Sequence, residues 1–347
     1  MEKKIAFFDA KPYDRLAFDT VNSDFGFSIT YIDAHLNAQT VRLTTGFDAV
    51  CAFVNDILDG AVIGQLAANG IHIAGLRCAG YNNVDFKAAF GKVHVVRVPA
   101  YSPHAIAEHA VALMLSLNRK IHKAYHRTRD GNFSINGLLG FDMYGKTAGV
   151  VGTGKIGQCL ITILKGFGMR VLAYDPKPNQ DYAREAGITF VSLEQLYSES
   201  DILSLHCPLT PETEHMINVQ AISMMKNNIM IINTGRGKLI DTEALINALK
   251  SGKAGSAGLD VYEEESDYFF EDRSTEMIRD DILARLLTFP NVLITSHQAF
   301  FTEEALTNIA QTTLGNFKEY FDGGWLKNEI CYRCGAVCPK EQNKRCF

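Results

Sequence analysis

The sequence predicts an α/β protein built of two doubly wound, parallel-sheet domains, and three observations carry that expectation. The chain has 347 residues, enough for two domains at roughly 150 residues each. Short apolar runs alternate with amphipathic helical text almost from end to end, the pattern of a parallel sheet covered on both faces. A glycine-rich turn of nucleotide-binding type stands in mid-chain, so one complete α/β series precedes it and a second begins with it.

In the first series, strands are read at residues 4–8, 28–32, 49–54, 72–76 and 93–96, with helical stretches such as residues 61–68 between them. A long helix follows. Ser102 suits its N-cap and Pro103 its first position. Ile106, Ala110, Leu113, Leu117 and Ile121 then recur as a helical stripe, and Gly131 ends the run. The second series opens at Lys146, with strands read at residues 147–151, 170–174, 201–205, 229–232, 256–259 and 292–295. Asp241, Thr242 and Glu243 open one intervening helix with the acidic residues that a helix N-terminus favours. Thr302, Glu303 and Glu304 open a last helix through about residue 321, expected to cross back to the first domain. The domains are therefore read as residues 1–100 with 299–335 (catalytic, discontinuous), residues 101–298 (nucleotide-binding) and a cysteine-rich tail at 331–347. Pro99-Ala100-Tyr101 and Gln298-Ala299-Phe300 are the crossover points.

Composition narrows the function. A 47% hydrophobic, 21% charged chain is ordinary for a globular protein. A formal net charge of −5 gives no reason to expect nucleic acid or an anionic membrane as partner. No apolar run nears the roughly 18 residues of a membrane span, and Asp9 interrupts the first apolar stretch too early for a signal peptide. A cytoplasmic protein is expected. Of eight cysteines, Cys51, Cys78, Cys159 and Cys207 stand singly and read as thiols in a reducing compartment.

The strand text Thr147-Ala148-Gly149-Val150-Val151 runs into Gly152-Thr153-Gly154-Lys155-Ile156-Gly157 and then a helix. This is G-x-G-x-x-G in its required setting. Gly152 permits the tight turn, Gly154 lets backbone approach a pyrophosphate, and Gly157 allows close helix–strand packing. Asp175 ends the next strand, eighteen residues after Gly157. An acid there accepts hydrogen bonds from ribose hydroxyls and repels a 2′-phosphate, so NAD is favoured over NADP. This domain is expected to be Rossmann-type and the preceding one flavodoxin-like.

Three further residues stand just after separate strands of the nucleotide-binding domain: Arg236, Glu265 and His297. Strand C-termini are where open α/β sheets bind ligands. Hydride transfer to a ketone needs a fixed cation for the carboxylate and carbonyl, and the planar fork of arginine can hold both. The carbonyl oxygen needs a proton, which histidine can give near neutral pH. The imidazole needs an orienting anion, and a carboxylate provides one.

With these motifs in place, the chain resembles the D-2-hydroxyacid dehydrogenase family, its bacterial fermentative D-lactate branch above all. The likeness runs from about Lys3 to Asn328. It includes Leu76-Arg77-Cys78-Ala79-Gly80, Val98-Pro99-Ala100-Tyr101-Ser102-Pro103, His206-Cys207-Pro208-Leu209-Thr210 and His297-Gln298-Ala299-Phe300. The resemblance implies Arg236, Glu265 and His297 as the catalytic set. It implies that Lys155 and Ile156 cover the pyrophosphate and that Asp175 holds the adenosine ribose. Cys207, Pro208 and Thr213 would line the adenine side, while Thr234, Gly235 and Asp260 meet the nicotinamide. Amides around Cys78, Ala79 and Gly80 would receive the substrate carboxylate, with Tyr101 adding a contact. Many members have Ser where this chain has Gly235, a difference expected to matter little. Pairing of copies is also implied, with a dimer at least and a tetramer possible, through the nucleotide-binding domains and the helix over residues 102–124.

Phe53, Tyr101, Phe300 and Phe301 would wall a small pocket that favours the methyl group of pyruvate over a long branched chain. Pyruvate and D-lactate are the expected pair, bound between the domains. The alternatives are another D-2-hydroxy acid, or a non-catalytic NAD-sensing corepressor-like protein. In the tail, Cys331, Cys334, Cys338 and Cys346 fall short of the usual zinc and iron–sulfur spacings, and no metal is expected.

Overall fold

A computed structural model describes residues 2–265 and 268–333. The chain divides into two compact units: one runs through Ser102 and resumes at Phe301, and the other spans Pro103–Phe300.

In the first unit β1 (Lys4–Phe7), β2 (Ser28–Tyr31), β3 (Ala49–Ala52), β4 (Ile73–Leu76) and β5 (His94–Arg97) form one parallel sheet in the order β2-β1-β3-β4-β5, which is the flavodoxin-like order. β3 and β4 are buried along their whole length, as central strands covered on both faces must be. Helices α1 (Pro12–Asn22), α2 (Gly60–Ala68) and α3 (Phe86–Ala89) cross between them. Asp59 caps α2 through the amides of Ala61 and Val62, and Asp85 caps α3 through that of Ala88. The last helix, α12 (Glu303–Phe321), is capped by Thr302 and buries Ala305, Ile309, Ala310, Thr313, Leu314 and Phe317, one face at helical spacing. Phe317 lies against Gly75 of β4 so closely that a methyl group there would stand 2.6 Å from the ring.

Arg77, at the C-terminal end of β4, is fully buried. It donates to the carbonyls of Phe8 (3.0 Å) and Asp9 (2.6 Å), and its Nε lies 3.4 Å from an Asp14 oxygen. The rings of Phe7 and Phe53 each stand 4.5 Å from its guanidinium carbon. One cation thus binds the ends of β1, β3 and β4 together.

The second unit is a seven-stranded sheet of β6 (Thr147–Val151), β7 (Arg170–Tyr174), β8 (Thr189–Phe190), β9 (Ile202–Leu205), β10 (Ile229–Asn233), β11 (Ala254–Leu259) and β12 (Val292–Ile294). All pairs are parallel, in the order β12-β11-β10-β9-β6-β7-β8. Counted from β6, this is the Rossmann order with one added edge strand, and the direction of winding reverses between β6 and β9. Its helices are α4 (Pro103–Arg119), α5 (Ile121–Arg129), α6 (Lys155–Gly166), α7 (Gln180–Ala186), α8 (Leu193–Glu199), α9 (Val219–Met224), α10 (Thr242–Ser251) and α11 (Asp281–Leu287). One buried layer joins Ala110, Leu113, Met114, Leu160 and Ile161 to the sheet, and another joins Leu196, Ile222, Leu245 and Leu249.

Two features differ from the sequence reading. The helix expected to run from Ser102 to Gly131 is broken at Lys120, whose φ of 50° starts a new helix. The break coincides with a clamp: the Asn118 side chain donates to the carbonyl of Phe141 (2.7 Å) and accepts from its amide (2.8 Å). The two-residue strand β8 is an addition. The tail cysteines Cys334, Cys338 and Cys346 lie outside the described residues.

Removing the buried guanidinium would take the nearest cation from the Asp14 carboxylate and the side-chain donors from two carbonyls. Arg77→Met is expected to lose about 3–5 kcal/mol of stability, measured by urea unfolding of the purified chain. An unchanged midpoint would contradict the role given to Arg77.

Candidate active site

The turn after β6 has the geometry that a dinucleotide pyrophosphate requires. Gly152 sits at φ +91° and donates to the carbonyl of Tyr174 (2.8 Å). A Cβ there would stand 2.6 Å from the carbonyl oxygen of His206, and one on Gly157 would stand 2.1 Å from that of Gly152. Gly154, by contrast, faces open space and starts α6 without a side-chain cap. The amides of the first turn of α6 therefore remain available to an anion. Lys155 is exposed and Ile156 half-buried in that turn.

Asp175 follows β7. Burial opposes its ionisation, but the Thr153 amide and hydroxyl (2.9 Å each) and the Lys177 amide (2.9 Å) together hold its carboxyl below the usual carboxylate range. An ionised acid in this place suits ribose hydroxyls and repels a phosphate. Cys207 and Pro208 follow β9. The Cys207 thiol is pushed up to about 11, chiefly by burial, so it stays protonated at neutral pH. The Thr213 hydroxyl donates to the carbonyl of Pro208 (2.8 Å) and accepts from the Thr210 amide (2.8 Å), closing this loop on itself. The Thr234 hydroxyl is buried and has no hydrogen-bond partner among the described residues. An orphaned group beside the end of β10 fits a ligand that brings its own polar atoms. The open turn at Gly154, the ionised Asp175 and this hydroxyl are together what NAD would need.

Arg236, Glu265 and His297 follow β10, β11 and β12, three neighbouring strands. Asn233 orders the first of these loops, donating to the Arg236 carbonyl (2.9 Å) and accepting from the Gly235 amide (3.0 Å). Arg236 places one guanidinium nitrogen on the Gly235 carbonyl (2.8 Å). A Cβ on Gly235 would meet only ordinary contacts, the nearest at 3.4 Å. Glu265 accepts the Tyr262 amide on one oxygen (3.1 Å), and its other oxygen lies 3.0 Å from Nδ1 of His297. Both side chains are about one-quarter exposed, at 22% for His297 and 26% for Glu265. With Nδ1 occupied, Nε2 is the nitrogen left to exchange a proton with a substrate.

His297 stands at φ 53°, an unusual conformation for a non-glycine residue. Asp260, fully buried, holds it there. The Asp260 carbonyl accepts the His297 amide (2.8 Å), and its carboxylate accepts the amides of Gln298 (2.9 Å) and Ala299 (2.8 Å).

The remaining candidates fall in two places. Phe53, Cys78, Ala79, Gly80 and Tyr101 belong to the first unit, whereas Phe300 ends the second. Phe53 is stacked on Arg77, the Ala79 carbonyl accepts from Arg97 (2.6 Å), and the Tyr101 carbonyl accepts from Asn308 (2.7 Å). Sequence reasoning missed Thr153, Asn233, Thr295 and Arg77. Each acts by holding a neighbour, and none carries a recognisable chemical signature in one dimension.

Comparison with known proteins points to one family. The family described as D-isomer specific 2-hydroxyacid dehydrogenase, NAD binding domain, matches residues 111–299. A D-lactate dehydrogenase of Escherichia coli (strain K12) is 54% identical over 329 residues, covering 94% of this chain and 99% of the relative. Among solved structures, the pyruvate reductase of Chlamydomonas reinhardtii matches with a TM-score of 0.89 and 44% identity, covering 93% of this chain and 97% of that one. The NAD-complexed D-isomer specific 2-hydroxyacid dehydrogenase of Lactobacillus delbrueckii ssp. bulgaricus matches with a TM-score of 0.81 and 33% identity, covering 94% and 100%.

Two outcomes are expected. Gly235→Ser should leave pyruvate-dependent NADH oxidation close to that of the unchanged chain, because a Cβ there meets only ordinary contacts, the nearest at 3.4 Å; a severe loss would contradict this. Burial of the His206 ring pushes its pKa from 6.5 down to about 4. Between those values the unfolded chain binds a proton that the folded chain refuses, so this group removes stability as pH falls from 6.5 toward 4. Asp56, raised by burial from 3.8 to about 6, acts in the opposite sense over the same range. Thermal midpoints from pH 7 to 4.5 should therefore fall less steeply, or rise more, in His206→Gln than in the unchanged chain.

Proposed function

Because this chain belongs to the D-isomer specific 2-hydroxyacid dehydrogenase family, we propose that it is an NAD-dependent D-lactate dehydrogenase, interconverting pyruvate and D-lactate. The observation that carries this reading is the pairing of Glu265 with Nδ1 of His297 at 3.0 Å, past β11 and β12, the two strands next in the sheet to β10, which Arg236 follows. That arrangement supports a proton donor with its second nitrogen free, beside a cation suited to a 2-oxo acid.

Arg236 is the residue to bind the carboxylate and polarise the carbonyl of pyruvate, because a guanidinium can donate to two oxygens at once. Glu265 fixes the tautomer and orientation of His297 and stabilises its protonated form. His297 delivers its Nε2 proton to the carbonyl oxygen in reduction and recovers it from the hydroxyl in oxidation. Bound NADH supplies the hydride. Gly152, Gly154, Lys155, Ile156 and Gly157 are proposed to hold the pyrophosphate, with Asp175 at the ribose. Cys207, Pro208 and Thr213 are assigned to the adenine side, and Thr234, Gly235 and Asp260 to the nicotinamide. Cys78, Ala79, Gly80, Phe53 and Tyr101 in the first unit, and Phe300 in the second, are proposed as substrate-binding residues. Pyruvate as the oxo acid is supported by the E. coli relative and the algal pyruvate reductase.

A homo-oligomer, a dimer at least, is supported by the segment after α5. Phe133, Ile135, Leu139 and Tyr144 are 77%, 82%, 88% and 79% exposed there, large apolar and aromatic side chains of the kind that mark an interaction surface. Work in the cytoplasm is supported by the free thiols of Cys51, Cys159 and Cys207 and by the need for a nicotinamide pool. No helix of the described residues is long and apolar enough to cross a membrane.

The purified chain should oxidise NADH with pyruvate faster than with bulkier 2-oxo acids, and the product should be D-lactate by chiral analysis. His297→Ala should lose at least about 100-fold in kcat, the low end of a general acid's contribution, while binding NADH normally. Turnover at the level of the unchanged chain in that variant would refute the mechanism.

A further inference from the structure

Behind His297 runs a chain of polar contacts that ends on a helix bearing no proposed site residue. His109 lies on α4, which packs over the sheet at β10, β11 and β12. The approach is close: a Cβ on Gly258 of β11 would stand 3.1 Å from both Leu113 and Leu117 of α4. The neighbours of His109 along its helix, Ala105, Ile106 and Ala110, are buried core residues. His109 itself is mostly buried, its side chain 18% exposed, and its Nε2 lies 3.0 Å from the hydroxyl of Thr295 and 3.4 Å from a carboxylate oxygen of Asp260. Thr295 in turn places its hydroxyl 2.5 Å from that same Asp260 oxygen.

The hydrogen-bond directions are fixed by chemistry. A carboxylate only accepts, so the single Thr295 proton goes to Asp260. The Thr295 oxygen is then an acceptor, and His109 must present Nε2–H to it. The result is a one-way relay of donors, His109 to Thr295 to Asp260. Asp260 carries the other load at the same time: its carbonyl holds the His297 amide, and its carboxylate holds those of Gln298 and Ala299. A residue at φ 53° outside glycine persists only where its surroundings over-determine it.

We infer that His109 is a positioning residue for hydride transfer: through Thr295 it fixes the Asp260 carboxylate, and through Asp260 it holds the His297 imidazole in its reactive orientation. His109 touches neither substrate nor cofactor in this role. Its part is to supply one N–H at a set place, which a leucine of similar bulk cannot do and a glutamine can, because the glutamine amide nitrogen lies near the place of Nε2.

The inference rests on His297 as the proton donor proposed above, and the experiment separates the two. His109→Leu, His109→Gln, Thr295→Val and Thr295→Ser are compared with the unchanged enzyme and with His297→Ala. The readouts are single-turnover NADH oxidation by pyruvate, steady-state kcat and KM, and NADH binding by fluorescence. His109→Leu and Thr295→Val should each lose about 10- to 100-fold in the single-turnover rate, the scale of a misplaced reacting group, with NADH binding little changed. His109→Gln and Thr295→Ser should recover most of the rate. The double variant His109→Leu/Thr295→Val should be no slower than either single one, as links of one chain behave. An unimpaired rate in Thr295→Val, or an equal loss in Leu and Gln at residue 109, overturns the inference. If His109→Leu fails to fold, the Thr295 pair and His109→Gln decide the matter by the same criteria. An inactive His297→Ala beside an unimpaired His109→Leu would overturn only this inference, whereas an active His297→Ala would overturn the mechanism beneath it.

Discussion

The second unit depends on a carboxylate that never meets water. Asp260 is fully buried at the end of β11, and its amide donates to the Asn233 carbonyl at the end of β10 (2.9 Å). Its carboxylate and carbonyl receive the Thr295 hydroxyl and the amides of residues 297–299, just past β12. A buried anion without donors would destabilise the fold by several kcal/mol. Its satisfaction therefore requires the ends of three adjacent strands to keep one fixed arrangement. Arg236, Glu265 and His297 leave from those three ends. The stability of the fold and the register of the reactive groups are consequences of the same hydrogen bonds, and a change that releases one releases the other.

The nucleotide end follows a related logic with different atoms. Asp175 is oriented by Thr153 and Lys177, Thr213 by Pro208 and Thr210, and Gly235 by Asn233. These bonds turn loops into a rigid frame. Among the described residues, the groups it leaves for a ligand include the amides at the start of α6, the remaining lone pairs of Asp175, the Thr234 hydroxyl and Nε2 of His297. A ligand is recognised by the groups that the fold does not use itself, and rigidity in the rest removes the entropy of arranging them at the moment of binding.

This division also explains what could be read from the sequence. Fully buried parallel strands such as Ala49–Ala52, Thr147–Val151 and Ile229–Asn233 are continuous apolar runs, so their positions were legible to within a residue or two. The glycine fingerprint was legible because its spacing answers to a ligand. Arg236, Glu265 and His297 stood out because their chemistry fits a reaction. The frame residues did not stand out. Thr153 and Thr295 are ordinary threonines until the partner that saturates them is known, and those partners lie 22 and 35 residues away in sequence. The break at Lys120 was hidden for the same reason, since Asn118 is clamped to Phe141 across 23 residues. β8 was missed because two residues are too few to show a period. His109 alone left a signal, a titratable residue beside the apolar stripe of Ile106, Ala110 and Leu113.

Buried charge at strand ends is common to both units, with opposite sign. In the first, Arg77 gathers the carbonyls of Phe8 and Asp9 past β1 and lies between Phe7 and Phe53. In the second, Asp260 gathers amides past β12. The sign follows from which backbone group the departing loop leaves without a partner: carbonyls call for a cation with several N–H groups, amides for an anion with several lone pairs. Either ion replaces the sheet hydrogen bonds that a strand gives up where it ends, so a loop can turn sharply beside a candidate binding site without exposing its backbone. The same ion fixes what the loop carries, Phe53 in one unit and His297 in the other. Such positions tolerate an isosteric apolar residue poorly, because the substitution removes a partner from two buried main-chain groups at once.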